Sequence, residues 1–219
     1  MKDYQKAFIE FALESKALCF GECTLKSGRI SPYFFNSGFF NTGQAIARLG
    51  QFYAQAIMHS QLPFDMLFGP AYKGIPLVTS VAIALAEHHS IDKPYAFNRK
   101  EVKPHGEGGL IVGAPLQGKV LIVDDVISAG VTIGETVAIL KTAPCEMMGM
   151  VISMDRQERT QHGSLSAVEE VSRAYHTPVF SIITLTDLIT YLEAQGQYPA
   201  DLEKIRAYNR IYGSTAAPH

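Results

Sequence analysis

Two adjacent carboxylates, Asp124 and Asp125, close the apolar run Val120-Leu121-Ile122-Val123 and precede a turn of small residues, Ser128-Ala129-Gly130. The run reads as a strand covered on both faces. Beyond the turn, Ile133, Val137, Ile139 and Leu140 recur at helical spacing behind Thr132, which reads as the N-cap of a helix to Lys141. A helix N-terminus presents unpaired N–H groups and the positive end of its dipole, so the turn from Ser128 to Thr132 suits a phosphate. Asp124 and Asp125 would repel a second phosphate, yet they accept hydrogen bonds from hydroxyls or hold a hydrated Mg²⁺. The stretch therefore suits a ligand with a phosphate at one end and a diol beside it, the form of a ribose 5-phosphate. An apolar strand ending in acids also occurs in P-loop ATPases, but the chain has no G-x-x-x-x-G-K-[ST] to accompany it.

Cations recur where a second anion would need them. Lys73 sits in Gly69-Pro70-Ala71-Tyr72-Lys73-Gly74, between a strand expected at Phe64–Phe68 and an apolar helix at Ile75–His89. Arg99, Lys100, Lys103 and His105 crowd into seven residues ahead of Gly106, Gly108 and Gly109, which reads as a lid with no core of its own, although taken alone such a run is more often a solvated charged loop. Lys26 and Arg29 flank a Ser27-Gly28 turn between two short strands, the second carrying Phe34-Phe35. Such a hairpin suits a flat anionic ring, although paired aromatics taken alone belong more often to a core. Arg156 falls at the carboxyl end of a strand expected over Met147–Asp155, where open parallel sheets bind ligands.

The elements that must carry these groups alternate. A first helix is expected from Asp3 to about Ala17, capped by Asp3, and a second from Thr42 to about Met58. Strands follow at Pro94–Asn98 and Val179–Thr184, and helices at Leu185–Ala194 and Ala200–Tyr208. This is an α/β pattern with a parallel sheet. With 219 residues, 47% hydrophobic and 18% charged, the chain is sized for one core rather than two. A net charge of -2 gives no general field for nucleic acid or membrane, so any phosphate site must be local. The three cysteines, Cys19, Cys23 and Cys145, lack the pairs for a zinc site and are expected as buried, reduced thiols in a cytoplasmic protein. The N-terminus does not read as a secretory signal, and Gly213 to His219 read as a loose tail.

The central stretch resembles the PRPP-binding signature of the type I phosphoribosyltransferases. Leu25-Lys26-Ser27-Gly28-Arg29 with Ser31 to Asn36, Phe68 to Gly74, Arg99 to Gly106, and Asp155 to Arg159 are similar to the orotate-using members of that family. The resemblance implies the type I fold, a mainly parallel central sheet flanked by helices with a small N-terminal hairpin hood. The chain would be a single domain over 1–219, with the hood in about 1–40 and a mobile catalytic loop at about 99–110. It also implies transfer from PRPP to orotate, giving orotidine 5′-monophosphate and pyrophosphate in pyrimidine biosynthesis, with Mg²⁺ held mainly by PRPP and water and Asp124 and Asp125 as outer contacts.

Carried over by position, the turn Ser128-Ala129-Gly130-Val131-Thr132 would hold the 5-phosphate. Asp124 and Asp125, leading into Val126 and Ile127, would hold the ribose hydroxyls, and Tyr72 and Lys73 the pyrophosphate. Lys26, Phe34, Phe35, Ser128 and Arg156 would hold orotate. Lys26, Lys73, Arg99, Lys103 and His105 would form the catalytic set, with Lys26 also near PRPP. Arg99, Lys103 and His105 would reach the neighbouring subunit of a homodimer, while Lys100 serves its own site. Two positions depart from the family pattern: Ser128 where Thr is common, and Val131 where a hydroxyl residue often follows the glycine. The second removes one side-chain donor, which Thr132 or the backbone N–H groups can replace, so PRPP binding is expected to weaken by about 0.5–1.5 kcal/mol at most.

A PRPP-binding regulator would keep the central motif without the cationic lid, and a transferase for another base would change the hairpin and Arg156.

Overall fold

The computed structural model describes residues 1–103, 109–127, 131–161 and 163–214. Its elements run α1 (Asp3–Glu14), β1 (Leu18–Thr24), β2 (Ile30–Phe35), a 3-10 turn (Ser37–Phe39), α2 (Gly43–Ser60), β3 (Met66–Gly69), α3 (Gly74–His89), β4 (Tyr95–Lys103) and β5 (Gly109–Gly113). They continue as β6 (Gly118–Val123), α4 (Val131–Leu140), β7 (Cys145–Asp155), α5 (Ala167–Tyr175), β8 (Val179–Thr184), α6 (Leu185–Gln195) and α7 (Pro199–Tyr212). Six strands form one sheet in the order β5-β4-β3-β6-β7-β8, parallel except for β5, which runs antiparallel to β4; β1 and β2 form a separate antiparallel pair.

The apolar run that ends at the two acids is the reason for the layering. Val120, Leu121, Ile122 and Val123 are all fully buried, and they alternate between two cores. Leu121 and Val123 pack with α1, α2, α3 and α6; Val120 and Ile122 pack with Ile133, Val137 and Leu140 of α4 and Val171 of α5. A strand buried on both faces needs helices on both sides, and each of these side chains contributes about 1.5–3 kcal/mol of transfer free energy.

Chain order reverses between β3 and β6. From β3 the chain crosses through α3 to β4 on one side; from β6 it crosses through α4 to β7 on the other. Their carboxyl ends are therefore adjacent and open a crevice with no connection over it, the place where such sheets bind ligands. Close packing underlies it: a Cβ on Gly69 would stand 2.2 Å from the Gly74 carbonyl oxygen and 2.7 Å from a Val78 methyl, so only glycine lets β3 turn tightly into α3.

Several elements differ from the sequence reading. β4 does not stop at Asn98 but runs through Arg99–Lys103, because β5 pairs with it, Lys103 opposite Gly109. The expected lid thus stands on a two-stranded stem, and its centre, 104–108, lies outside the described residues. Thr132 is within the first turn of α4 rather than its cap, and Lys2, not Asp3, occupies the cap of α1, with Gln5 Oε1 accepting from the Lys2 N–H at 2.8 Å. The thiols are free but not buried: Cys19 is exposed and Cys23 half-buried on β1 of the two-stranded hood, and Cys145 is half-buried at the start of β7. Gly213 bridges to Glu158 and the Ser214 N–H reaches the Gln157 carbonyl at 2.8 Å, so the first two residues of the expected tail are tied down; 215–219 lie outside the described residues.

Candidate active site

The crevice is a cleft of about 150 Å³ lined by Pro70, Ala71, Tyr72 and Lys73 from the loop after β3, by Asp124 to Ile127 after β6, and by Ile133, Thr136 and Met150. Two loops far apart in sequence, one cationic and one acidic, thus form its walls. Lys73 Nζ lies 2.6 Å from Asp125 Oδ2, and the Ser37 hydroxyl donates to the same oxygen at 2.9 Å. Ser37 begins the short turn that leaves the hood, so the buried carboxylate of Asp125 joins hood, β3 loop and β6 loop. Asn36 Oδ1 lies 3.5 Å from the same Lys73 nitrogen.

Asp124 and Asp125 differ in surroundings. Burial, with the Asp125 charge beside it, pushes the Asp124 carboxyl up to about 7, against the pull of the Asp125 N–H and of Lys73. That N–H donates to Asp124 Oδ1 at 2.8 Å. The backbone of the pair is anchored from behind: Tyr53 donates its buried hydroxyl to the Asp124 carbonyl at 2.7 Å and lies 2.6 Å from Ser153 Oγ, while the Ser153 N–H donates to the Asp125 carbonyl at 2.8 Å. The opposite wall is held by Asn98, whose Oδ1 accepts from the Ala71 N–H at 2.9 Å. Tyr72 is left 71% exposed at the rim, open to a ligand.

The second expected subsite lies under the hood. Arg156 leaves the end of β7 and turns its guanidinium over the ring of Tyr33, 4.0 Å from the centroid. Nη2 donates to Ser31 Oγ at 2.8 Å, and Nε and Nη2 both reach Glu158 Oε1, at 2.8 and 2.7 Å. Phe35 is buried and packs its ring against Phe8 at 6.3 Å, so its side chain is core, whereas Phe34 is half-buried on the same strand. Nearby, burial raises the Asp155 carboxyl to about 6, partly offset by the hydrogen bond from the Gln157 N–H.

The structure does not bring every expected residue together. Lys26 stands exposed in the β1–β2 turn and makes no ion pair among the described residues. Arg99 Nη1 donates to the Gly109 carbonyl at 3.2 Å along the stem, and Lys100 Nζ pairs with Glu135 of α4 at 3.5 Å. His105 and the turn Ser128-Ala129-Gly130 lie outside the described residues; of Lys103, Val131 and Thr132 the structure describes the backbone only. Four supporting residues escaped the sequence reading: Ser37, Tyr53, Asn98 and Ser153. Asn98 had a visible signal, an amide closing an apolar strand; the others are ordinary side chains until folding delivers them. Among the described residues no three His, Cys, Asp or Glu converge as a metal cage, so the acids present suit a hydrated ion carried on a ligand's phosphates.

This arrangement corresponds to a known family. Residues 39–180 match the model described as the phosphoribosyl transferase domain, and the chain belongs to the phosphoribosyltransferase family. Proteins named orotate phosphoribosyltransferase are 56% identical in Vibrio cholerae and 57% identical in Serratia proteamaculans, each over 213 residues, 97% of this chain and 100% of the relative. The crystal structure of orotate phosphoribosyltransferase from Francisella tularensis superposes with a TM-score of 0.87 at 44% identity, covering 95% of this chain and 100% of that one. Within the family the chain falls among the orotate phosphoribosyltransferases. UMP synthase of Leishmania donovani shares the fold, with a TM-score of 0.73 at 22% identity over 95% of this chain and 42% of that one.

Proposed function

We propose that the chain transfers the 5-phosphoribosyl group of PRPP to orotate, giving orotidine 5′-monophosphate and pyrophosphate in pyrimidine biosynthesis. The observation that carries this reading is the meeting of Lys73 with Asp125 at the topological switch point, with Tyr72 and Asp124 beside them. A cationic loop suited to pyrophosphate thereby faces an acidic loop suited to ribose hydroxyls, as a sugar carrying phosphates at both ends requires.

The chemistry follows from charge. As pyrophosphate leaves C1, positive charge develops on the sugar and negative charge on the departing oxygens. Preorganised cations beside those oxygens lower the barrier more than they stabilise the bound substrate. Lys73 exchanges Asp125 for the leaving group, and Arg99 and Lys103 add charge from the lid. Asp124 and Asp125 orient the sugar through its hydroxyls. Val126 to Thr132 supply the backbone donors for the 5-phosphate at the start of α4. Lys26, Arg156, Ser128 and the backbone at Phe34 and Phe35 hold orotate. When bound, Mg²⁺ would be held mainly by PRPP and water, with Asp124 and Asp125 as outer contacts, and would supply charge neutralisation at the leaving pyrophosphate. Closure of the lid excludes water that would otherwise take the place of orotate.

The active unit is a homodimer in which Arg99, Lys103 and His105 complete the partner's site. The pairing of Lys100 with Glu135 of its own chain supports Lys100 serving the site beside it. The whole chain acts as one phosphoribosyltransferase domain in the cytoplasm; no helix among the described residues is long and apolar enough to cross a membrane.

The test follows orotate absorbance with purified protein, PRPP and Mg²⁺, with uracil and purine bases in parallel. PRPP-dependent loss with orotate alone is expected. Turnover of another base instead would overturn the orotate reading, and PRPP binding without turnover of any base would make the chain a regulator.

A further inference from the structure

The hood contains a carboxylate that the proposed chemistry does not use. Glu158 lies two residues past Arg156, and its side chain is 11% exposed. Its Oε1 accepts from both Nε and Nη2 of Arg156, and its Oε2 accepts from the hydroxyl of Tyr208 at 3.0 Å. Arg29 Nη1 stands 3.7 Å from the same Oε2. Tyr208 belongs to α7, fifty residues along the chain, so a helix at the far end of the sequence reaches into the hood.

The donors of Arg156 can be counted. A guanidinium carries five N–H groups in a rigid plane. Here the edge formed by Nε and Nη2 is spent on Glu158, the other N–H of Nη2 on Ser31, and one face of the plane on the ring of Tyr33. The Tyr208 hydroxyl also lies against the guanidinium, and no hydrogen bond from Nη1 is seen among the described residues, so its two diverging N–H groups remain on a group whose position is fixed from several directions. A fixed plane with unspent donors loses little entropy when it binds a planar acceptor.

We infer that Glu158, itself held by Tyr208 of α7, is a positioning residue that fixes the Arg156 guanidinium so that its Nη1 donors are presented to the nucleobase. The inference rests on the reading that Arg156 holds orotate. It makes α7 a part of base recognition rather than a closing helix. Glu158 also cancels one of two neighbouring guanidinium charges, so removing it pulls two ways. The loose plane weakens binding and the added positive charge strengthens it, and the loss of position is expected to be the larger effect.

The experiment measures KM for orotate and for PRPP, kcat and thermal midpoint for the full-length protein and for Arg156→Ala, Glu158→Gln, Tyr208→Phe and the Arg156→Ala/Glu158→Gln double variant. Glu158→Gln is expected to raise the orotate KM about tenfold, the scale for one charged hydrogen bond, and to leave the PRPP KM within about twofold. Tyr208→Phe changes no charge and should raise the orotate KM by about two- to fivefold in the same selective way. In the Arg156→Ala background, Glu158→Gln should add nothing, whereas a merely structural role would add its effect independently. Equal losses for both substrates, additive effects, or a lower orotate KM in Glu158→Gln would overturn the inference while the role of Arg156 stands. If Arg156→Ala itself leaves the orotate KM unchanged, the reading that Arg156 holds orotate fails, and the inference fails with it. Should Glu158→Gln fold poorly, Tyr208→Phe decides alone.

Discussion

The cleft at the sheet and the expected base subsite under the hood are built on opposite plans. At the sheet end, the chemistry sits on two short loops, each continuous in sequence, and the rest of the molecule only holds them: Tyr53 and Ser153 behind Asp124 and Asp125, Asn98 behind Ala71. At the hood, Arg156 has almost no local support beyond Glu158 and depends on β2 and α7, which lie more than a hundred residues before it and fifty after its partner. A loop on a strand end can be aimed by backbone geometry alone. A long side chain such as arginine must be aimed by contacts, and these have to come from elsewhere in the chain.

The largest effect should come from the sheet end. Lys73→Ala removes the cation proposed to meet the leaving group and should lower kcat by about 10² to 10³, the scale for losing one such stabiliser, with little change in the orotate KM. An unchanged kcat would take Lys73 out of the chemistry. An orotate KM that rose as much as kcat fell would mean the two ends are not separable.

Gly69→Ala should be next, because its Cβ would collide with the Gly74 carbonyl and Val78. It should cost about 1–3 kcal/mol in denaturant unfolding and disturb the loop that carries Lys73. A wild-type midpoint would show that the β3 turn has slack that its geometry does not suggest.

Asp124→Asn addresses pH. In the folded protein the Asp124 carboxyl is raised to about 7, against about 3.9 in an unfolded chain. The unfolded chain therefore loses its proton first, so stability present below about pH 4 is lost as pH rises towards 7 and stays lost above it. Asn has no proton to lose. The variant should match the parent at pH 4 and exceed it at pH 8 by on the order of 1 kcal/mol, at the expense of activity. Equal midpoint differences at both pH values would show that Asp124 ionises freely in the fold.

Tyr33→Phe should do least. The Tyr33 hydroxyl is buried without a hydrogen-bond partner among the described residues, while its ring carries the guanidinium of Arg156. Removing only the oxygen should leave stability unchanged or raise it by up to about 1 kcal/mol, with the orotate KM unaffected. A clear loss of either would reveal a partner for that hydroxyl and a second polar anchor at the hood.

The same contrast explains what could be read from the chain. The strand ending at Val123 was legible because four buried apolar residues meet two charges without transition, and β8 was legible from its β-branched run bounded by Pro178 and a helix cap at Thr184. Strand β5 was hidden by glycines, and the extension of β4 by its charges, since neither shows until the two strands pair. Helix α5 left a usable signal: Ser166 and Glu169 form a capping box, the Glu169 N–H donating to Ser166 Oγ at 3.2 Å. The link from Glu158 to Tyr208 left none, because nothing in either segment names the other.

Lys73 reaches the cleft already neutralised, with Asp125 at 2.6 Å. An arriving anion must share that charge with a carboxylate beside it or displace it, so a lone phosphate gains less than it would from a free lysine. A ligand that also bears hydroxyls gives the displaced carboxylate new donors at the same moment. Simple anions are therefore expected to compete less well for this site than a ligand that brings phosphate and hydroxyls together.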